Sequence, residues 1–497
     1  MNLPSLKRQA LSGMRWTVSA RVLVQLITWP STIIVMRLLN PRDYGVVAVA
    51  TLFIEFVSVF SDPGLAAGLV HTQVLRDETS RAASALIVLL NLLLLNVLIL
   101  AAPGIAAWYH QPELTRVIRV ASLSLLMSAI ATVPQAHLVR NLRFREMALA
   151  MIASSVAASL TTILCAILGL GVWSLVLGTL MLSALRSGIM IAYNRSAVWP
   201  DYSKGFEPVR HLMHFSLHML GNRILAYWSG ALDLMVLGRL VHSTELGSYS
   251  VGANLAAIPG DKAMEAVNRV CFPTLSRMRF ERAQFNYTYE RILRMLALYG
   301  FLVAWGLAAV APEFVHVVLS EKWRLAVIPL ALLSIAAPIR MLTIFQNTVN
   351  NAAGVPQAST KVLALTCAIL PVGILVGARV AGINGAAVSC VVVYAIAFLV
   401  STFFTCLVTQ RAMRENLRLI LVPLVAGISM LIVTWALRTL LFAQLPTPLL
   451  LCVEIVAAAG AFLGTVHILG PAVLSDARAL LGELLRPEKA ADTGIAS

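Results

Sequence analysis

Charge is what this chain has least of. Only 12% of its 497 residues are Asp, Glu, Lys or Arg, about half of the ~25% carried by an average soluble chain. Together with 59% apolar residues and a mean hydropathy of +0.84, that shortage excludes the multi-domain soluble enzyme that length alone would suggest. It also excludes disorder, which needs low hydrophobicity and high charge. The six cysteines (165, 271, 367, 390, 406 and 452) contain no CxxC pair and fit neither a zinc site nor a disulfide framework; they read as small core residues. No GxxxxGK[ST] or GxSxG occurs, so neither phosphate-loop hydrolysis nor a serine nucleophile elbow has its motif. Long polar segments are missing as well. The longest between apolar runs are 194–211 and 275–291, so no extramembrane domain is expected and function must lie within the bundle or at its faces.

What is present is a succession of apolar runs, each near the ~20 residues a spanning helix needs. Apolar windows place spans at 14–37, 44–70, 83–108, 117–139, 148–169, 172–193, 212–241, 247–274, 292–319, 325–350, 360–379, 383–408, 418–441 and 447–470. The expected fold is an all-α integral membrane protein of about 14 transmembrane helices. The first run holds Arg21 and lacks a small-residue cleavage site, so it is expected to stay as a span rather than act as a signal peptide. The net charge of +15 would point to nucleic acid in a soluble protein. Here it is explained by the positive-inside rule, and no aromatic residues interleave with the basic ones as base stacking requires. The N-terminus, even-numbered loops and tail hold 23 Lys and Arg against 9 in the odd-numbered loops, which places both termini in the cytoplasm.

The halves echo one another at an offset of 202 residues. Arg21-Val22-Leu23 matches Arg223-Ile224-Leu225, Arg37-Leu38-Leu39 matches Arg239-Leu240-Val241, Asp43 falls on Glu245 and Gly45 on Gly247. The second span of each half also carries Pro-Gly beside a carboxylate, Asp62-Pro63-Gly64 and Pro259-Gly260-Asp261, which reads as a break. Repeats six spans apart run parallel, as in transporters whose site lies between repeats. The expected division is 1–193 for one six-helix lobe, 212–408 for its repeat, 418–470 for two extra helices and 471–497 for a cytoplasmic tail.

A charged residue at mid-span costs about 2.5–3.5 kcal/mol on insertion scales, so it faces a partner or a water-filled cavity. Arg21 and Arg223 hold equivalent positions. Two guanidiniums facing one cavity would suit an anionic solute, which Arg binds bidentately; otherwise each pairs with a carboxylate, Glu55 or Asp62 for the first and Asp233 or Asp261 for the second. Asp233 either holds a coupling Na⁺ or H⁺ or neutralises Arg223, although ten helical residues separate the two by about 15 Å. Asp261, Lys262, Glu265 and Arg269 fall at helical spacing as a self-neutralising stripe on a cavity wall. Arg340 and Asn347, with Gln346, Asn350 and Asn351, suit sugar hydroxyls or glue helices together. His211, His214 and His218 share one helix face without a fourth metal ligand and read as interfacial. Asn194-Arg195-Ser196 and Asn286-Tyr287-Thr288 fit the glycosylation pattern but fall on the cytoplasmic side. The candidate substrate residues are therefore Arg21, Arg223, Asp62, Asp261, Lys262, Arg269, Arg340 and Asn347, with Asp233 for a cation. No catalytic residue, metal or bound cofactor is expected.

The segment from His214 to Pro259 resembles the polysaccharide-synthesis branch of the multidrug/oligosaccharidyl-lipid/polysaccharide exporter superfamily. The resemblance is carried by Asn222 and Asp233 leading into Gly238-Arg239-Leu240, by Leu246-Gly247-Ser248-Tyr249 with its first-half echo Asp43-Tyr44-Gly45, and by Arg269-Val270-Cys271-Phe272-Pro273. It is most similar to the Wzx-type flippases, in particular the colanic-acid-like subgroup. That implies a V-shaped pair of six-helix lobes plus two C-terminal helices, and alternating access in a bacterial inner membrane. The implied substrate is an undecaprenyl-pyrophosphate-linked oligosaccharide, and the implied partners are the polymerase and export proteins of the same pathway. Relatives couple to a cation through an acid of the second lobe, which maps here onto Asp233. A peptidoglycan lipid-precursor flippase shares the fourteen-span plan. A membrane polymerase or ligase usually has a large periplasmic loop, whereas the odd-numbered loops here are about ten residues or fewer; a scaffold would not need buried charge in both halves.

Overall fold

In the computed structural model, described over residues 3–61, 65, 68–69, 77–194, 210–441 and 445–471, every element among the described residues is a helix or a turn. The helices are α1 (Leu3–Leu38), α2 (Pro41–Ser58), α3 (Asp77–Trp108), α4 (Glu113–Ala121), α5 (Leu123–Arg140), α6 (Phe144–Ile167) and α7 (Val172–Tyr193). They continue with α8 (Arg210–Leu240), α9 (Ser243–Met278), α10 (Arg282–Ala309), α11 (Val327–Ala352), α12 (Pro356–Thr409), α13 (Met413–Leu441) and α14 (Thr447–Leu469). Ten helical segments, one of them α4 and α5 taken together, are long and apolar enough to cross a membrane. One of these, α12, joins the expected spans 360–379 and 383–408 across a kink at Ala381 and Gly382. Gly382 supplies the turn there because its φ of +58° is a conformation other residues rarely adopt. Helices α8 and α9 fall outside that apolar set; they are the ones that carry Arg223, Asp233, Asp261, Lys262 and Arg269.

Two expectations shift. Pro259-Gly260 does not break its span, since α9 is helical throughout Ser243–Met278. Proline removes one backbone donor, but the helix continues on both sides, and the Pro259 carbonyl accepts the Tyr299 hydroxyl at 3.2 Å. The expected span 292–319 begins earlier and ends earlier, as α10. It is followed by a short helix at Ala311–Phe314 with Pro312 in its first turn, a π turn at Val315–Leu319 and a 3₁₀ turn at Glu321–Ala326.

The chain forms two compact units, Met1–Ser250 and Val251–Ser497. The first contains α8 and the first turns of α9. Its buried clusters are built of small and aliphatic residues, such as Ala82, Ala83, Ile87, Ala129 and Val133. The second has one larger core holding Tyr289, Phe301, Trp305, Phe345 and Phe462. There Tyr289 stacks on Phe345 with ring centroids 6.0 Å apart, and the Trp305 indole donates to the Ile335 carbonyl at 3.0 Å. Of the cysteines, 271, 390 and 406 are buried, while Cys452 is exposed. In lipid an apolar side chain gains nothing by leaving the surface, so an apolar run is no guarantee of a core position.

Candidate substrate and coupling sites

In the first unit the starts of α2 and α9 repeat one device. The Asn40 backbone N–H donates to Asp43 Oδ2 at 3.0 Å, and the His242 N–H donates to Glu245 Oε2 at 3.4 Å. Each carboxylate satisfies an otherwise orphan donor in the first helical turn and complements the helix dipole. These two helix starts then cross backbone to backbone. A Cβ on Gly45 would lie 3.1 Å from Gly247 N and inside the Ser243 carbonyl; one on Gly247 would lie 2.8 Å from Gly45 N and inside the Pro41 carbonyl. Pro41 and Ser243, like Gly45 and Gly247, are 202 residues apart, so the crossing is locally twofold.

Asp233 stands one helix away from this crossing. It is 8% exposed, and its carboxylate accepts the Tyr249 hydroxyl at 3.1 Å and the Leu234 N–H at 2.8 Å. Tyr249 is fully buried; its role escapes a sequence reading because it lies across a turn, sixteen residues on. Beside it, the Tyr109 hydroxyl donates to the Met235 carbonyl at 3.1 Å, and burial pushes that phenol up to about 12. Arg239 donates to His110 Nδ1 at 2.9 Å and lies over the Trp108 ring. A polar cluster therefore ties the end of α3 to the end of α8.

A cleft of about 510 Å³ opens among α1, α2, α6 and α7, lined by Thr28, Ser31, Tyr44, Ser155, Thr162 and Thr179 among others. Thr28, Ser31, Thr162 and Thr179 each donate to the carbonyl four residues earlier. Their protons are spent, so they offer the cleft lone pairs. At these four positions the wall accepts hydrogen bonds, as from sugar hydroxyls. A sequence reading misses it because isolated Ser and Thr in spans are common glue. Arg21 and Arg223 are both exposed on their helices. Asp62 lies outside the described residues, as do the side chains of His211, His214, His218 and Asn222 and residues 472–497 of the tail.

In the second unit Asp261 and Lys262 are exposed, and Arg269 donates to Glu265 at 2.7 Å, one turn away. Arg340 lies over the Tyr394 ring, 6.0 Å from its centroid. Asn347 Oδ1 accepts the Ser401 hydroxyl at 3.4 Å, and the Asn347 carbonyl accepts the Ser359 hydroxyl at 2.9 Å. Of the neighbouring amides, Gln346 donates to Thr402 at 2.9 Å and Asn350 accepts from Thr405 at 3.2 Å; both are fully buried. Arg340 and these amides thus meet the second half of α12, and Gln346 and Asn350 join helices instead of lining an opening. A sequence reading also overlooks Glu313, Arg438 and Glu454, which converge from three separate elements.

An all-helical, multi-pass bundle with carboxylates and guanidiniums held inside its helices defines an integral membrane transporter fold. The chain belongs to the family described as polysaccharide biosynthesis protein, whose model matches residues 34–328. It is 23% identical to the lipopolysaccharide biosynthesis protein WzxC of Escherichia coli, over 89% of this chain and 90% of that one. It is 27% identical to the succinoglycan biosynthesis transport protein ExoT of Rhizobium meliloti, over 65% of each. Among solved structures, the lipid II flippase MurJ in an inward closed conformation superposes with a TM-score of 0.71 at 12% identity, covering 93% of this chain and all of that one. An inward-facing multidrug resistance MATE family transporter of the MOP superfamily superposes at 0.57 with 16% identity, covering 79% of this chain and 96% of that one.

Proposed function

We propose that this chain is a flippase that carries undecaprenyl-pyrophosphate-linked oligosaccharide repeat units from the cytoplasmic to the periplasmic leaflet, for exopolysaccharide, capsule or O-antigen synthesis. The observation that carries the reading is the pair of repeat-equivalent guanidiniums, Arg21 and Arg223, on helices of a chain whose family is described as polysaccharide biosynthesis protein. Guanidiniums suit an anionic solute, and pyrophosphate is an anion that Arg holds bidentately. The reading also assigns Asp261, Lys262 and Arg269 of the second unit to substrate contacts, and Arg340 and Asn347 to sugar hydroxyls. The acceptor-lined cleft suits hydroxyl donors as well. The lipid tail can stay in the bilayer throughout.

In this reading Asp233 holds the coupling ion, Na⁺ or H⁺, with Tyr249 as its hydrogen-bond donor. Both termini are cytoplasmic, following the bias of basic residues, and the polymerase and export proteins of the same pathway take the product. The likeness to the lipid II flippase is one of fold, so it does not move the substrate to a peptidoglycan precursor.

The test is the leaflet in which lipid-linked oligosaccharide accumulates when the protein is depleted, probed in spheroplasts with an impermeant sugar-oxidising reagent. Complete repeat units protected on the inner leaflet are expected. Units exposed outside but unpolymerised would place the protein after translocation and overturn the reading. Arg223→Ala is expected to abolish polymer export at matched membrane abundance; wild-type export from that variant would remove Arg223 from the site.

A further inference from the structure

The second unit buries a charge imbalance that the transport reading does not use. Glu313, on the short helix after α10, is 3% exposed. Arg438 of α13 reaches it with Nη2 at 2.5 Å and also donates to the Ala309 carbonyl at 2.7 Å. Glu454 of α14 is 0% exposed. Its Oε1 lies 3.4 Å from Arg438 Nε, and neither of its oxygens receives a hydrogen bond from the protein. The carboxyl of Glu313 faces it. The surrounding wall is apolar, with Ala309, Val310 and Leu451 buried in it.

Two carboxylates thus share one guanidinium. Fully ionised, the two buried carboxylates would face one another across a single, partly exposed guanidinium, an arrangement proteins resolve by neutralising one partner. Among the described residues the ion pairs of Glu313 and Glu454 are both with Arg438. The part of α10 that reaches this end, Leu298–Ala309, holds no charged residue. Arg438 is the charge α13 brings, and Glu454 the charge α14 brings. His316, Glu321 and Arg324 lie across a cavity of about 460 Å³ whose wall includes Glu313, and His316 is paired with Glu321 at 2.7 Å.

We propose that Glu454 carries a proton, making Glu313–Arg438–Glu454 a one-proton binding site that opens to this cavity through Glu313. The proton belongs on Glu454 because Glu313 already holds the short charge-assisted bond to Arg438. Once protonated, Glu454 donates to the facing Glu313 carboxylate, and a like-charge contact becomes an O–H···O⁻ hydrogen bond. A hard metal cation is a poorer occupant, since it takes about six or more oxygen ligands, and among the described residues no group of three or more metal-ligating side chains gathers. This site shares no residue with the proposed substrate set or with Asp233, so it stands or falls separately from the flippase reading.

The test is the infrared carbonyl stretch of a protonated carboxyl in the purified full chain in lipid nanodiscs. A carboxylic-acid component is expected at neutral pH, shifting on exchange into heavy water, retained in Asp233→Asn and missing from Glu454→Gln. Persistence of the whole band in that variant overturns the proposal, and so does loss of the Glu454-dependent component when sodium is added to Asp233→Asn at constant pH, which would make the site a cation site. Glu454→Gln is expected to fold with an unchanged or higher unfolding temperature, because its amide is neutral and donates to Glu313 as the acid does. Should it fail to fold, Glu454→Asp keeps the acid on a shorter arm. The band must then move in frequency, and an unmoved band overturns the assignment.

Discussion

Each unit packs its own interior by a different leading device. In Met1–Ser250 the tightest contact has no side chains in it: Gly45 and Gly247 let two helix starts touch through their backbones, and the buried clusters are rich in alanine. In Val251–Ser497 large rings with buried amides fill the main core, although the two halves of α12 also meet backbone to backbone at Gly377 and Gly385. Lipid supplies little hydrophobic drive between helices, so each unit relies on packing; close approach of helix starts leads in the first, and interdigitation of large rings leads in the core of the second. The first should break when atoms are added, the second when atoms are removed.

The largest effect is expected in the second unit. Phe345→Ala empties a fully buried ring that stacks on Tyr289, and cavities of that size cost about 3–5 kcal/mol. Thermal unfolding in detergent should fall steeply, and a Phe345→Leu variant should recover most of the loss. The counterpart in the first unit is Gly247→Ala. It adds one methyl where a Cβ would meet the Pro41 carbonyl, and overpacking against backbone that cannot yield costs about 1–3 kcal/mol or more. Gly45→Ala should cost a similar amount. The double variant should cost less than the sum, because both methyls force apart the same pair of helix starts. Additive losses would mean that the two glycines do not share one contact.

Much of this architecture is legible in the sequence because the bilayer dictates it. An apolar run of about 20 residues can be little other than a helix, and the capping acids Asp43 and Glu245 stand out through their common offset. The pairing of Arg269 with Glu265 follows from helical spacing. What sequence does not reveal is which faces meet. Glu313, Arg438 and Glu454 each stand nearly alone in their own segment, and only tertiary packing brings them within reach. Asp233 draws attention as an isolated acid, but its donor Tyr249 lies across a turn. The amides of α11 could have faced a sugar or another helix, and the hydrogen bonds to Thr402 and Thr405 decide this for Gln346 and Asn350.

Those amides supply the next smaller effect. Gln346→Ala removes the donor to Thr402 and leaves a buried hydroxyl without it, a loss of about 1–3 kcal/mol. Gln346→Leu, which fills the same volume without an unpaired amide, should cost less. Equal losses for leucine and alanine would show that the hydrogen bond, not volume, limits this layer.

The smallest stability effect should come from Arg269→Ala. Its pair with Glu265 is exposed on both sides, and exposed pairs one helical turn apart contribute about 0.3–0.5 kcal/mol. The unfolding temperature should therefore barely move. That makes Arg269 the residue at which stability and transport separate most clearly. If it belongs to the substrate lining, Arg269→Ala abolishes or strongly reduces polymer export from a protein as stable as the parent, and Arg269→Lys, which keeps the charge but not the bidentate fork, restores part of it. If the guanidinium serves only to balance Glu265, export from Arg269→Ala equals wild type, and the double variant Arg269→Ala with Glu265→Ala behaves identically. Unchanged export would take Arg269 out of the candidate site and leave the anion to Arg21 and Arg223.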